Sequence, residues 1–515
     1  MKKIIFIAAV SFFSPFAIAQ TESLDGNNLG ITVSDKGLFL AQPDELIYGF
    51  DLQSPGCEFP KGSGKHVMNG LAMWFGGVND YHELRISTPT STHFEEQFSG
   101  PLSIESLSGQ YSEPKSFFKV TREEIDYHVT NYQQPNYEGI PSIMEWPAHG
   151  DVSYGFDFYL APFVDVDGDG YYNPMTGDYP CIKGDEAVYM ILNDKEAHAH
   201  CGGASNQDAM GIEIHYLFYQ YLSIQELANT TFCEARVINR SATNYRDFTA
   251  SLFMNASIGN PQDDFFGTDE ERNLIYGYNG EAFDLRYGDV PPSVGVISLN
   301  KNINRSRVFG QYHNSLFPSS LPEFWKAMRG KLLTGDNYPK RFEYPGDPVL
   351  TEGDIQTLPQ QANSMIYSID VGDLASGNEV KFDFAIVAEQ GGTNLNSVQN
   401  LRESVDYVQH FYDQSEGLCI QAEVGIPEEI LPTESQENVG AKIVPNPSNG
   451  EFRVQLDEGW LGADVSVFNA SGVLLTTAKN IGQIQTQLKI SGVPGVYIVS
   501  IEKDGASEVL KAVVE

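Results

Sequence analysis

The segment Asp165-Val166-Asp167-Gly168-Asp169-Gly170-Tyr171 spaces three carboxylates two residues apart and follows the third with glycine. Carboxylates at positions 1, 3 and 5 with glycine at 6 let a short loop wrap a hard cation in oxygen ligands, and position 7, here Tyr171, adds its backbone carbonyl. Calcium is the expected ion, in a structural role. A full EF-hand loop closes with a bidentate Glu at position 12, but Thr176 stands there, so the closing ligand must come from elsewhere. Asp178 is the best-placed substitute and Asp185 the next. The candidate ligands are therefore Asp165, Asp167, Asp169, Tyr171 and Asp178, against the plainer alternative of a solvated acidic turn.

Pro174 and Gly177 follow the loop and no helical periodicity flanks it, so it resembles the DxDxDG loops of extracellular β-proteins more than an EF-hand. A second acidic group, Asp263, Asp264, Asp269, Glu270 and Glu271, surrounds Phe265-Phe266-Gly267, read here as a turn. Its looser spacing suits a solvated turn better than a cation site. His198-Ala199-His200-Cys201 places two imidazoles and a thiol close together, a zinc set only if a fourth ligand converges from afar.

Signatures of other chemistries are missing. There is no H-E-x-x-H and no G-x-S-x-G, and Gly62-Ser63-Gly64-Lys65 lacks both the upstream glycine and the following Ser/Thr of a P-loop. A glycosidase-type carboxylate pair is invisible in a chain with 69 acidic residues, because its defining separation is spatial. Trp74, Trp146, Trp325 and the run Tyr154–Tyr159 could stack on sugar rings, although aromatics in strands more often serve the core.

The elements that position these residues are mainly strands. Alternating or continuous apolar runs recur at Gly30–Gln42, His66–Phe75, Gly211–Ser223, Thr231–Asn239, Phe248–Asn255, Ser293–Leu299, Ser364–Val371 and Val380–Gln390, separated by Gly, Pro, Asn and Asp clusters. One helix stands out: Val398, Leu401, Val405, Val408 and Phe411 recur every three or four residues, with Asn396 or Ser397 available as a cap. Sixty-nine acidic residues against 32 basic give a net charge of −37, which repels a phosphate backbone and argues against nucleic acid as a partner. Five cysteines are too few for a disulfide scaffold in 515 residues, and an odd number leaves a thiol over. Cys181 and Cys201 are the pair of nearest spacing.

Met1-Lys2-Lys3, an apolar run to Ile18 and Ala17-Ile18-Ala19 before Gln20 have the form of a cleavable secretory signal over residues 1–19. No later segment is apolar enough for a transmembrane helix. Residues 20–425 form the expected β-rich body, of one or two domains. Residues 426–439 lie within a stretch free of Lys and Arg and rich in Glu and Pro, the composition of an extended linker. Residues 440–515 carry seven short strand-like runs, from Lys442–Val444 to Glu508–Val514, enough for a small seven-stranded β-sandwich.

Within that tail, Pro445-Asn446-Pro447-Ser448-Asn449-Gly450, the turn Asn469-Ala470-Ser471-Gly472 after a strand, and Val493-Pro494-Gly495-Val496-Tyr497 follow in order. Together they resemble the type A C-terminal sorting domain of the Bacteroidetes type IX secretion system. The resemblance implies passage through the periplasm, recognition of the folded tail by outer-membrane machinery, and a secreted or cell-surface destination. Stretches of the body, among them "EWPAHGD" and "IGNPQDDFFGTDEERNLIYGYNG", resemble a group of large secreted proteins of the same route with no assigned activity. The reading is thus a calcium-stabilised, non-catalytic protein that binds an extracellular polymer or carbohydrate, with a secreted hydrolase of polysaccharide or protein as the rival.

Overall fold

The computed structural model describes residues 20–40, 56–90, 96–102, 115–194, 209–309, 317–331, 341–357, 364–415 and, apart from short breaks, 441–514. The expected signal (1–19), linker (426–439) and His198-Ala199-His200-Cys201 motif lie outside these residues. The chain is mainly β, built from antiparallel sheets, with a small β region at its C-terminal end. It divides into two compact units. One holds the described residues of Met1–Tyr127, Ile140–Trp146 and Ile182–Cys419; the other holds those of His128–Gly139, Pro147–Cys181 and Ile420–Glu515.

The first unit contains two nine-stranded sheets. At the centre of one, the 14-residue strand His66–Asn79 pairs with Tyr245–Ala256, which pairs in turn with Ser364–Leu374. In the other, Glu186–Asn193, Ile212–Gln220, Thr230–Asn239 and Glu379–Glu389 lie side by side. Period-two alternation sends Met73, Phe75, Leu252, Met254 and Tyr367 of the first sheet into one core with Met190, Ile214, Phe218, Val237 and Phe384 of the second. The intervening residues Trp74, Phe253 and Ile366 face the opposite way and bury against Phe324, Ala327 and Met328 of the helix Leu321–Met328. Trp74 is thus a core residue: it is fully buried, stacks on Phe253 and donates its indole N–H to the Pro89 carbonyl.

The expected helix spans Asn394–Ser415 and packs on the outer side of the second sheet, burying Val398, Leu401, Val405 and Val408. Two details differ from the sequence reading. Thr393 makes the cap, its Oγ1 accepting the Asn396 N–H at 3.1 Å, so the helix starts earlier than Asn396 or Ser397. The last buried side chain is Tyr412, with Phe411 half-buried against Tyr221 and Phe232. Thr393→Ala is expected to cost about 1 kcal/mol, measured as a lower urea midpoint at unchanged slope.

Phe265-Phe266-Gly267 is not a turn. It lies inside the strand Asp264–Asp269, paired with Leu274–Asn279, because alternation seats Phe266 in the core. The acidic group around it is thereby split: Asp269 joins Arg272 and Arg402 in ion pairs and Glu270 joins Arg341, while Asp264 is buried at the far end of the strand. Cys57 and Cys233 are buried free thiols. Cys181 is disulfide-bonded; Cys201 and Cys419 lie outside the described residues.

In the C-terminal region the three-stranded sheet of Ala441–Val444, Glu451–Leu456 and Gln485–Lys489 is accompanied by a four-stranded sheet of Leu474–Ala478, Asp464–Asn469, Gly495–Lys503 and Ala506–Val514. Glu451–Leu456 alternates exposed and buried residues along its length, as a strand covered on one face must. Phe452, Val454, Leu456, Val465, Val467, Leu488, Val499 and Ile501 form its core. No described helix is long and apolar enough to cross a membrane.

Candidate cation site

Carboxylate oxygens of Asp165, Asp167 and Asp178 lie within 4.8 Å of one another. The loop achieves this by hydrogen-bonding its own backbone. Asp165 Oδ1 accepts the Gly168 N–H at 2.7 Å and Oδ2 the Gly170 N–H at 2.8 Å, drawing the chain around that carboxylate. Gly168 and Gly170 have φ of +76° and +82°, left-handed values that a side chain disfavours, so glycine at these two places lets the loop curl. Asp167 accepts the Asp169 N–H at 3.3 Å and Asp169 the Tyr171 N–H at 2.7 Å.

Asp178 arrives from beyond a short 3₁₀ turn, Pro174–Thr176, in which Thr176 is tied to the Asn173 carbonyl through both its N–H and its Oγ1. Position 12 is consumed by that turn. Fully buried, Asp178 accepts the Val166 N–H through Oδ1 and the Asn173 N–H through Oδ2, both at 2.8 Å, which fixes its carboxylate against the start of the loop. Burial pushes its carboxyl above the usual range, the two N–H donors oppose this, and the charges of Asp165 and Asp167 push it further up. Three carboxylates converging in this way present oxygen donors of the kind calcium takes. Asp169 is not among the three that converge, and Asp185 is engaged at another turn, accepting the Leu222 and Ser223 N–H groups.

Behind the loop stands His149, which sequence reading left unassigned. Its Nε2 accepts the Tyr172 N–H at 2.7 Å while Nδ1 faces the Phe158 carbonyl at 3.2 Å, so the proton sits on Nδ1 and the ring is neutral. Burial holds its pKa below the ordinary histidine value. The ring stacks on Phe158 at 4.1 Å, and Tyr159 donates its O–H to the Gly170 carbonyl. These aromatics of the run Tyr154–Tyr159 brace the loop from behind. No spacing rule connects His149 to Asp165, so only the fold could reveal this support.

Two further polar groups lie on the second sheet of the first unit. In one, the Tyr189 O–H meets His215 Nδ1 at 2.5 Å, His215 Nε2 donates to Glu213 at 2.8 Å, and Arg240 donates to the same carboxylate oxygen at 2.8 Å. Burial alone would raise the Glu213 carboxyl; His215 and Arg240 outweigh it and bring it down to about 2. Tyr189, His215 and Glu213 are each at most 4 % exposed, which keeps substrate away from them. In the other, Glu234 and Asp383 are directly opposed on neighbouring antiparallel strands. Glu234 is paired with Lys183, and Asp383 accepts the Tyr412 O–H at 2.5 Å. Burial, and then the Glu234 charge, raise the Asp383 carboxyl to about 6.

The chain is thus mainly β, with an acidic loop at Asp165 and a small β region at its C-terminal end. Residues 442–515 match the family described as a secretion system C-terminal sorting domain, and the chain is a type IX secretion cargo protein, exported to the cell surface or the extracellular space. The curated proteins contain no match to the chain. Among solved structures, similarity extends to a protein from the human microbiome titled a kojibiose phosphorylase (7 % identity, 44 % of this chain and 21 % of that one, TM-score 0.24). A polysaccharide lyase matches at 10 % identity over 59 % of this chain and 34 % of its own, with a TM-score of 0.18. A protein of Escherichia coli K12 titled an aldose 1-epimerase matches at 11 % identity over 72 % of this chain and 99 % of its own, TM-score 0.24. The chain thus spans about a fifth and a third of the first two, and scores this low establish no common fold.

Proposed function

We propose that this cargo is a calcium-stabilised binding protein of the cell surface or medium, without catalytic activity, whose ligand is an extracellular polymer or carbohydrate. Export begins at the signal over residues 1–19 and ends with recognition of the tail by the outer-membrane machinery. The observation that carries the calcium reading is the convergence of Asp165, Asp167 and Asp178 on one point, with Asp165 and Asp178 also tying down the loop backbone. Calcium there would be held by these carboxylates and by the Tyr171 carbonyl, with Asp169 as a further oxygen donor. Its contribution is to offset the repulsion among them. The non-catalytic reading is supported by the Tyr189-His215-Glu213-Arg240 chain, the group best suited to proton transfer, being satisfied internally and sealed.

A second reading, a secreted hydrolase, rests on Glu234 and Asp383. Opposed side chains on adjacent strands have Cβ atoms about 4.5–5.5 Å apart, and a carboxylate beside a carboxyl of raised pKa is the acid/base division that glycoside hydrolysis uses. Assays of the purified chain on glycan and peptide panels, with and without chelator, decide between the two. No turnover is expected, together with retention of at least one glycan in a binding array. Hydrolysis that Glu234→Gln or Asp383→Asn abolishes transfers the assignment to the rival.

Asp383 also carries a pH prediction. Its folded pKa of about 6 lies above the ~3.9 of an unfolded aspartate, so its contribution to stability is fully present below that lower value and is lost as pH rises through the folded one. A permanently neutral Asp383→Asn side chain escapes this loss. Its melting temperature is expected to exceed wild type by several degrees above pH 6, since the separation between ~3.9 and about 6 corresponds to roughly 3 kcal/mol, with the difference narrowing toward pH 4.

A further inference from the structure

The hairpin of Asp264–Asp269 and Leu274–Asn279 ends with Asp264 directly opposite Asn279, so the two side chains share one face about 5 Å apart at Cβ. Asn279 is fully buried and Asp264 is 2 % exposed. The orientation of the Asn279 amide is settled by its nitrogen, which donates to the carbonyls of Glu281 at 2.8 Å and Phe283 at 3.4 Å; a flipped amide would set oxygen against oxygen. Its Oδ1 then finds no hydrogen-bond partner among the described residues. Neither does Oδ1 of Asp264, whose Oδ2 accepts the Ile258 N–H at 2.9 Å, nor Oδ1 of the adjoining Asp263.

These three oxygens are acceptors, and a buried acceptor left unpaired costs about 1–3 kcal/mol, more when charged. Nearby, Asp284 is fully buried and spends its oxygens on the N–H groups of Asn260, Arg286 and Tyr287. Arg286 lies beside Asp284, and both charges act on His66, while half-buried Asp263 takes a side-chain hydrogen bond from Asn260. One proton on Asp264 could join it to Asn279 but would leave Oδ1 of Asp263 unmatched. A divalent cation serves all three oxygens, since a carboxylate, an amide oxygen and backbone carbonyls form an oxygen set of the kind calcium takes. We propose that Asp264 and Asn279, with Asp263, hold a second divalent, oxygen-preferring cation that closes this end of the hairpin, independent of the loop at Asp165.

Counting bound metal after equilibrium dialysis of the full chain against calcium chloride, and separately manganese chloride, tests this. In Asp167→Asn, which leaves the hairpin intact, one ion per chain is expected to remain. Asp264→Asn is expected to lose one ion in either background, while Asn279→Asp, which keeps the oxygen and adds charge, retains it and binds more tightly. No ion in Asp167→Asn overturns the proposal whether or not an Asp264 variant folds. An unchanged count in Asp264→Asn overturns it too, as does a higher melting temperature for that variant in chelator with no change in metal, the signature of an Asp264 that merely carries a proton. Because the Asp165 loop is scored by its own variant, failure there leaves this result readable.

Discussion

A chain truncated after residue 440 is expected to remain in the cell envelope, with its amount in the medium and on the cell surface reduced at least tenfold. Immunoblots of medium, surface and periplasmic fractions against an epitope in the body measure this. The physical basis is that the sorting tail is a folded object. Val465 and Val499 are fully buried, and seven strands in two sheets share their core. Recognition therefore depends on a surface that exists only while that core is intact. Val465→Asp or Val499→Asp, which buries an unpaired charge at a cost that a small β-sandwich cannot absorb, should reproduce the export defect without removing a residue. A surface change such as Lys489→Gln, which breaks only an exposed pair with Glu451, should export normally. Full-yield export of the truncated chain would exclude this tail as the address.

Calcium removal is expected to lower the melting temperature by about 3–10 °C. Sites of this extracellular type bind at ~10⁻⁴–10⁻³ M, so ~10 mM calcium stabilises the folded state by about 1.4–2.7 kcal/mol, at roughly 2–4 °C per kcal/mol. Calorimetry with and without chelator measures the shift. Asp167→Asn should show little response to chelator, because it removes a charge from the convergent three while its amide oxygen can still accept the Asp169 N–H. Asp165→Ala should fall further, since it also frees the Gly168 and Gly170 N–H groups. Asp151→Asn, whose carboxylate caps a separate exposed turn, serves as the control and should respond as wild type does. An identical melt in calcium and chelator removes the ion from the account of this loop.

Much of the fold was legible in the residues. Seven of the eight runs named for the body appear as strands within a few positions, because burial on alternate residues follows directly from the pleat. Gly30–Gln42 is instead split into Gly30–Ser34 and Leu38–Phe39 by a turn in which Gly37 has a φ of +74°, and its last two residues lie outside the described ones. The long helix was equally plain in its three-to-four spacing. Its cap was not, because Thr393, Asn396 and Ser397 are all competent cap residues and only the path of the preceding chain selects Thr393. Phe265-Phe266-Gly267 was misread for a related reason. The flanking acidic residues looked solvated, whereas strand pairing buries Asp264 and gives Asp269 to two arginines.

By itself the sequence determined the secreted character, the position of the sorting tail, the β-rich class and the local shape of the DxDxDG loop, since each rests on composition or on contacts within a few residues. Asp178 was already named from its distance along the chain, and the structure selects it over Asp185; tertiary structure alone decided what braces the loop through His149, and that Asp264 faces Asn279 and Glu234 faces Asp383. The reason is that side-chain encounters depend on strand register and on the order of strands across a sheet, and these are set by the packing of the whole core rather than by any window of neighbouring residues.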